Sequence, residues 1–232
     1  MLKKEIADIL SAACQAGWVL EPEAKRLLAM AGLEVTQFRW ASTLDDALRS
    51  VKEIGYPVVA KVVSCKVIHK SDLDGVVVGI DNNKALTSTY ERFSTFEDFA
   101  GMLVEEMVSG IELIIGAKID YQFGPVILLG LGGTGVEIYK DVVLRMAPLA
   151  EKDVDSMVKG LKAHQLLEGY RGSDPINQEE LIRMMIGFSD LVMELEDVVE
   201  SIDLNPVMCS SKKCAVADAR IMLNREKAKA TE

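Results

Sequence analysis

The chain is short of histidine, has no paired-cysteine motif, no long apolar run and no basic patch, and these shortages narrow what it can do. The four cysteines, Cys14, Cys65, Cys209 and Cys214, show neither C-x-x-C nor mixed Cys/His ligand spacing. Reduced, mostly buried thiols are therefore expected rather than zinc ligands or disulfides. No stretch approaches the roughly 18 consecutive apolar residues of a membrane span. At the amino terminus Glu5 and Asp8 stand where a secretion signal would be apolar. A cytoplasmic protein without a membrane partner is the expectation. Lys and Arg form no cluster and the net charge is −10, which argues against nucleic acid and anionic lipid as partners. An anionic substrate has to be met by local positive sites. Only two histidines occur, His69 and His164. His164 has no acidic or cysteine neighbour at ligand spacing and is read as a surface or structural residue.

What is present suffices for a large core. The 232 residues are 49% hydrophobic with a mean hydropathy of +0.17, enough for one large domain or two lobes. Apolar periodicity predicts helices over residues 3–15, 22–31, 43–54, 83–93, 152–161 and 178–195. In the third of these Asp46 is placed to cap back toward Thr43. Strands are predicted at 33–40, 58–63, 75–80, 102–107, 125–130, 136–145, 200–207 and 214–222, with another opening at Glu112.

Several stretches carry chemistry. The segment Val62 to Gly79 reads as strand, polar loop, strand, with His69 in a loop that also holds Lys66, Lys70, Asp72 and Asp74. Lys61 is a lone charge between apolar neighbours in a strand. Such an ammonium either meets an anion, such as a phosphate, or lies on a solvent-facing edge, and both readings stay open. In VEEMVSGIE, Glu105 and Glu106 close one strand and Glu112 opens the next across Ser109 and Gly110. That pattern is either an interlobe hinge whose carboxylates and carbonyls accept hydrogen bonds from a nucleoside, or a solvated hairpin. Residues Gly130 to Gly135 satisfy G-x-G-x-x-G, but the residues that follow alternate like a strand instead of opening a helix, which speaks against a dinucleotide fold. A loop whose backbone amides approach phosphate, including Gly132 and Gly133, fits better, with Arg145 expected as a second buried cation. Near the carboxyl end, strand alternation puts Asp203 and Asn205 on one face, and Asp218 returns on the following strand. One carboxylate and one amide oxygen suit Mg²⁺; a pair of strand-end residues making turn hydrogen bonds is the alternative.

Taken in order, Lys61, the VEEMVSGIE hinge, Arg145 and the Asp203-Leu204-Asn205-Pro206 to Asp218 pair resemble the pattern of ATP-grasp enzymes. More closely, KVVSCKVIHKSD, FGPVILLGLGG, LEGYRG and IDLNPV followed by VADARI are similar to the β subunit of ADP-forming acetyl-CoA synthetases, relatives of succinyl-CoA synthetase, from about Pro22 to Met222. The resemblance implies an α+β ATP-grasp fold with a nucleotide bound between two lobes. The first, residues 1–107, would carry the His69 loop, and the second, 108–232, the Mg²⁺-binding hairpin. It implies an acid-thiol ligase that converts acyl-CoA, ADP and phosphate to acid, CoA and ATP, reversibly. A CoA-binding α subunit, in an α₂β₂ assembly, would complete it, since nothing in this chain matches that half.

Carried over by position, Lys61 and Arg145 would hold nucleotide phosphates. Glu105, Glu106, Met107 and Val108 would face adenine, and Glu112 the ribose. Asn205 and Asp218, with Asp203 less directly, would bind Mg²⁺, and His69 would relay a phosphoryl group from the α subunit to ADP. Neutral imidazole is a competent nucleophile because its pKa is about 6.5, and phosphoryl transfer asks mainly for positioning and charge neutralisation. Gly75 and Gly79 would give the loop its freedom. Asp74 departs from the family, which usually has a second glycine there. A non-catalytic nucleotide-binding subunit is the competing function class.

Overall fold

Thr43 and Asp46 form the reciprocal cap that the sequence predicts: Asp46 N donates to Thr43 Oγ1 at 3.1 Å and Thr43 N to Asp46 Oδ2 at 3.2 Å. The Thr43 hydroxyl, and next the Arg49 guanidinium, hold the Asp46 carboxyl below its ordinary value. In the computed structural model, which describes residues 3–14, 16–67, 70–133 and 141–224, this cap starts a helix of the smaller of two compact units. That unit, Thr36–Val108, contains β2 (Phe38–Ala41), α3 (Leu44–Ile54), β3 (Val58–Ser64), β4 (Val76–Ile80), α4 (Asn83–Phe93) and β5 (Phe99–Glu106). Its strands form a four-stranded antiparallel sheet in the order β2-β5-β3-β4. Val58, Ala60, Val62, Met102 and Val104 share one core with Ala47, Val51, Leu86 and Phe93 of the two helices. Because side chains alternate across a strand, Lys61 and Glu105 take the face opposite α3 and α4.

The larger unit joins Met1–Val35 to Ser109–Glu232. It holds α1 (Lys4–Ala13), β1 (Trp18–Val19), α2 (Glu21–Met30), β6 (Ile111–Asp120), β7 (Gly124–Leu131), β8 (Val142–Met146), α5 (Glu151–Gly160), α6 (Gln178–Leu195), β9 (Val199–Cys209), β10 (Cys214–Val216) and β11 (Ala219–Leu223). Its sheet has seven strands, in the order β1-β11-β9-β6-β7-β8, with β10 pairing β9. One face of this sheet is covered: Leu113, Ile115, Ile127, Leu129, Leu204 and Ile221 are buried with residues of α1, α2, α5 and α6. Leu27, Leu28, Phe188 and Val192 are among the helical residues fully enclosed there. No helix among the described residues is long and apolar enough to cross a membrane.

Four expectations change. Residues 1–35 group with 109–232 and not with the lobe where chain order alone puts them. The reason is pairing and burial: Trp18 and Val19 of β1 pair with Met222 and Ile221 of β11, and Ile6, Leu10, Leu27 and Leu28 are buried in the larger core. The strand predicted at 33–40 divides between the units, with Val35 bridging Val216 and β2 beginning only at Phe38. The strand predicted at 136–145 is described only as β8, since 134–140 lie outside the described residues. The strand predicted at 214–222 is interrupted at Ala217 and Asp218. Replacing Phe188, which is fully buried in the larger core, with alanine is expected to cost about 3–5 kcal/mol. Urea unfolding measures this, and a loss below about 1 kcal/mol would show that the helical layer does not depend on it.

Candidate functional site

In the smaller unit the lone strand lysine is neither on an edge nor exposed. Lys61 lies on β3, an inner strand of its sheet, and its Nζ is 3.0 Å from Glu105 Oε2, with both side chains more than nine-tenths buried. Leu103 is its cross-strand partner and Glu105 that of Val59, so lysine and glutamate meet diagonally on one face. Thr36, also buried, donates its hydroxyl to Glu105 Oε1. Sequence reading missed Thr36, because an isolated threonine before a strand carries no signal of its own. Glu106 is used differently: its Oε1 accepts the Gln37 amide at 2.9 Å, and its own amide donates to Gln37 O at 2.9 Å. Met107 is exposed and Val108 half-buried in the segment that leaves β5. β5 and β6 belong to different sheets, so VEEMVSGIE is a connection between units and not a hairpin.

His69 and Ile68 lie outside the described residues, but the flanks of their loop are defined. Gly75 N donates to Lys70 O at 2.7 Å and Val62 N to Gly75 O at 2.9 Å. A Cβ on Gly75 would stand 2.7 Å from Val62 Cγ1 and 2.9 Å from Lys70 O. Gly75 thus serves close packing, not the hinge freedom expected of it, whereas Gly79 does take a positive φ of 78°. Asp74 adopts the left-handed region, φ 53° and ψ 28°, which suits glycine best and which aspartate tolerates better than most residues. Arg92 Nη1 donates to its carbonyl at 2.7 Å. The departure from glycine is therefore accommodated locally.

In the larger unit the glycine turn and Glu112 come together. Gly132 N donates to Glu112 O at 2.7 Å, and a Cβ on Gly132 would stand 2.9 Å from the Glu112 carbonyl carbon and oxygen. Gly133 has φ +88°, and Glu112 Oε2 is 3.5 Å from where its Cβ would be. Only glycine permits this approach. Just before β8 stands Asp141, a buried residue that sequence reading also missed. Its carboxylate accepts Lys162 N at 2.7 Å and Ala163 N at 2.9 Å, and its carbonyl accepts Leu131 N at 3.2 Å. Arg145 is not the buried cation expected. It pairs with Ile127 on β7 and so takes the helix-covered face. There it is half-buried, donating to Ser156 Oγ of α5 at 2.8 Å and to Leu144 O at 2.9 Å. Register places it apart from Glu112, which pairs with Met208 on the other face.

The carboxyl-terminal pair is built by a fault in the ladder. Leu113 opposes Val207 and Ile115 opposes Leu204, so Asn205 and Pro206 together face the single residue Ile114, a β-bulge. On the other side, Val216 pairs with Val207 and Ala219 with Leu204, leaving Ala217 and Asp218 against the same bulge. Asn205 N donates to Asp218 O at 3.2 Å, and Ala217 N to Pro206 O at 3.0 Å. Asn205 is exposed and Asp218 half-exposed, so an amide oxygen and a carboxylate are adjacent and accessible. That donor set fits Mg²⁺, which takes one or two protein oxygens and leaves the rest to phosphate and water. Among the described residues no group of three or more His, Cys, Asp or Glu side chains forms a metal cage. Asp203 is engaged otherwise, with its Oδ2 3.1 Å from Arg220 Nη2 directly across the ladder. Of the cysteines, Cys65 is exposed, while Cys209 and Cys214 are buried opposite each other. The hydrogen bond with Cys214, and then burial, push the Cys209 thiol far above its ordinary pKa, which makes it inert.

Two antiparallel sheets, each with helices packed against one face, carry the polar side chains described above. A family model described as an ATP-grasp domain matches residues 11–223. The β subunits of ADP-forming acetate–CoA ligases I and II of Pyrococcus furiosus are 37% and 40% identical over 213 and 215 residues. Each comparison covers 88% of this chain and 91% of the relative. Among solved structures, the Ca. Korarchaeum cryptofilum acetyl-coenzyme A synthetase 1 with coenzyme A and Mg-AMPPCP, its phosphohistidine segment pointing towards the nucleotide-binding site, is 38% identical with a TM-score of 0.84. The match covers 94% of this chain and all of that one. The chain belongs to the ATP-grasp family, within the group of ADP-forming acetate–CoA ligase β subunits.

Glu105→Gln leaves the enclosed Lys61 ammonium without its carboxylate while keeping an acceptor for Thr36. Breaking a buried pair in this way is expected to cost about 3 kcal/mol. Urea denaturation at neutral pH tests it, and unchanged stability would mean that the carboxylate does not balance the charge of Lys61.

Proposed function

We propose that this chain is the nucleotide-binding β subunit of an ADP-forming acyl-CoA synthetase, active in the cytoplasm with a CoA-binding α subunit in an α₂β₂ assembly. The reaction is the reversible conversion of acyl-CoA, ADP and phosphate to acid, CoA and ATP. The observation that carries the reading is the bulge-built pair of Asn205 and Asp218 on the same sheet as the glycine turn pinned to Glu112.

Each residue then has a physical task. Asn205 and Asp218 would hold Mg²⁺, which when bound would neutralise phosphate charge. Lys61 would present its ammonium to phosphate, with Glu105 fixing its position and keeping it charged. Gly132 and Gly133 would let backbone approach phosphate, and Glu112, exposed beside them, would accept the ribose hydroxyls. Met107 and Val108 would offer apolar surface and backbone groups to the base. Arg145, held on the helix side by Ser156, is left out of the phosphate site. Asp203, paired with Arg220, acts beside the metal ligands and is not one itself.

His69 would be the phosphoryl carrier. Its neutral imidazole nitrogen attacks phosphorus, the bond to the donor breaks, and the phosphoryl group later passes to the terminal oxygen of ADP, regenerating imidazole. Lys66 and Lys70 flank it and would offset the charge of the phosphorylated ring.

Two measurements test the proposal. Incubation with Mg-ATP and the α subunit should give an acid-labile, base-stable phosphate on residue 69, and His69→Asn should abolish ATP synthesis from acyl-CoA. Full activity in that variant would overturn the relay. Asp218→Ala should weaken Mg-ADP binding by about 10- to 100-fold with little change in metal-free ADP binding. Equal affinity for Mg-ADP would remove Asp218 from the metal site.

A further inference from the structure

The LEGYRG motif at 167–172 takes no part in the nucleotide chemistry proposed above, and its loop is closed and internally hydrogen-bonded. Ile176 N donates to Leu167 O at 3.0 Å, closing a loop whose two ends are buried by Leu167 and Ile176. Compact loops with joined ends and internal bonding are often functional. Within it, Tyr170 N donates to Ser173 Oγ at 3.0 Å, and the Ser173 hydroxyl returns to Tyr170 O at 2.8 Å. Gly169 has φ +90°, and a Cβ there would stand 2.8 Å from Ser173 O. Arg171 itself sits at φ 52°, a left-handed conformation that an arginine adopts only against a steric penalty. Its guanidinium lies over the Tyr170 ring, 5.3 Å from the centroid, while Tyr170 remains 46% exposed.

The free chain gains little from presenting this pair. Tyrosine and arginine are the residue types that anchor protein interfaces, and a loop held rigid in advance loses less freedom on association. Glu168 and Asp174 flank Arg171, so a free small anion is poorly served, whereas a protein surface can offer a carboxylate together with apolar area for the ring. The root of the loop bears on which protein this is. It follows Lys162 and Ala163, whose amides are held by the Asp141 carboxylate, and Asp141 O accepts Leu131 N at the glycine turn. A partner seated on Tyr170 and Arg171 would therefore pull on the same clamp that shapes the candidate phosphate loop. We infer that the loop from Leu167 to Ile176 is a docking element for the CoA-binding subunit, with Tyr170 and Arg171 as its contact pair; this rests on the subunit reading above.

The test is the affinity of the cognate CoA-binding subunit for the wild-type chain and for Tyr170→Ala, Arg171→Ala and Arg171→Gly, measured by calorimetry alongside Mg-ADP binding and thermal melting. The alanine variants should bind the subunit at least tenfold more weakly with Mg-ADP affinity unchanged. Arg171→Gly relieves the backbone penalty, so it should raise Tm by roughly 2–4 °C and still weaken subunit binding at least fivefold. All three variants within twofold of wild type, with the wild type binding well, would overturn the docking role alone. A wild-type chain that binds no CoA-binding subunit would overturn the subunit reading, and the docking role with it.

Discussion

Among the described residues, the helices of each unit pack their apolar residues against one face of its sheet, and the placement of nearly every candidate residue follows from that constraint. Side-chain alternation commits half of every strand to that apolar core and turns the other half to the opposite face. In the smaller sheet the opposite face receives Lys61 and Glu105, both enclosed, while Val58, Ala60 and Val62 turn toward the helices. In the larger sheet it receives Glu112, Asp203 and Arg220, while Leu113, Ile115, Leu204 and Ile221 fill the core. Arg145 shows the rule from the other side. Shifted one residue along β8, it would share the face of Glu112; where it stands, it packs toward α5 and bonds Ser156.

A regular ladder could not have made the oxygen pair. Asn205 and Asp218 are accessible because two residues are fitted against one between β9 and β6, and the break is matched by the interruption between β10 and β11. Pro206 is at ease there because it has no amide to contribute to a ladder. Leu204 and Val207 stay buried on either side, so the bulge redirects only the residues that carry chemistry. A similar economy holds at Asp141. Its carboxylate holds the amides of Lys162 and Ala163 while its carbonyl accepts Leu131 N, so one residue joins the end of β7 to the connection that leads into the Tyr170 and Arg171 loop.

The chemistry proposed for this chain asks for charges held in place more than for reactive groups. Lys61 is enclosed beside Glu105, and Asp203 is paired with Arg220. Fixed ion pairs of this kind need little reorganisation when a phosphate arrives, which is where electrostatic stabilisation gains its strength. Family membership agrees with this economy, since the relatives share nearly the whole length of the chain and not a single motif.

The sequence by itself determined the elements that depend on near neighbours. Alternation and helical periodicity located most strands and helices, the Thr43 and Asp46 cap was readable from spacing three, and the ordered motifs from Lys61 to Asp218 carried the family resemblance. Chain order misplaced residues 1–35, because β1 finds its partner in β11 almost at the other end of the chain. No local pattern reports such a pairing. Tertiary structure alone decided that Lys61 is enclosed against Glu105 and Thr36, that Arg145 faces a helix, that Gly75 is a packing glycine, and that Asn205 and Asp218 meet at a bulge. Each of these depends on register between strands distant in sequence, where a shift of one residue exchanges the two faces of the sheet.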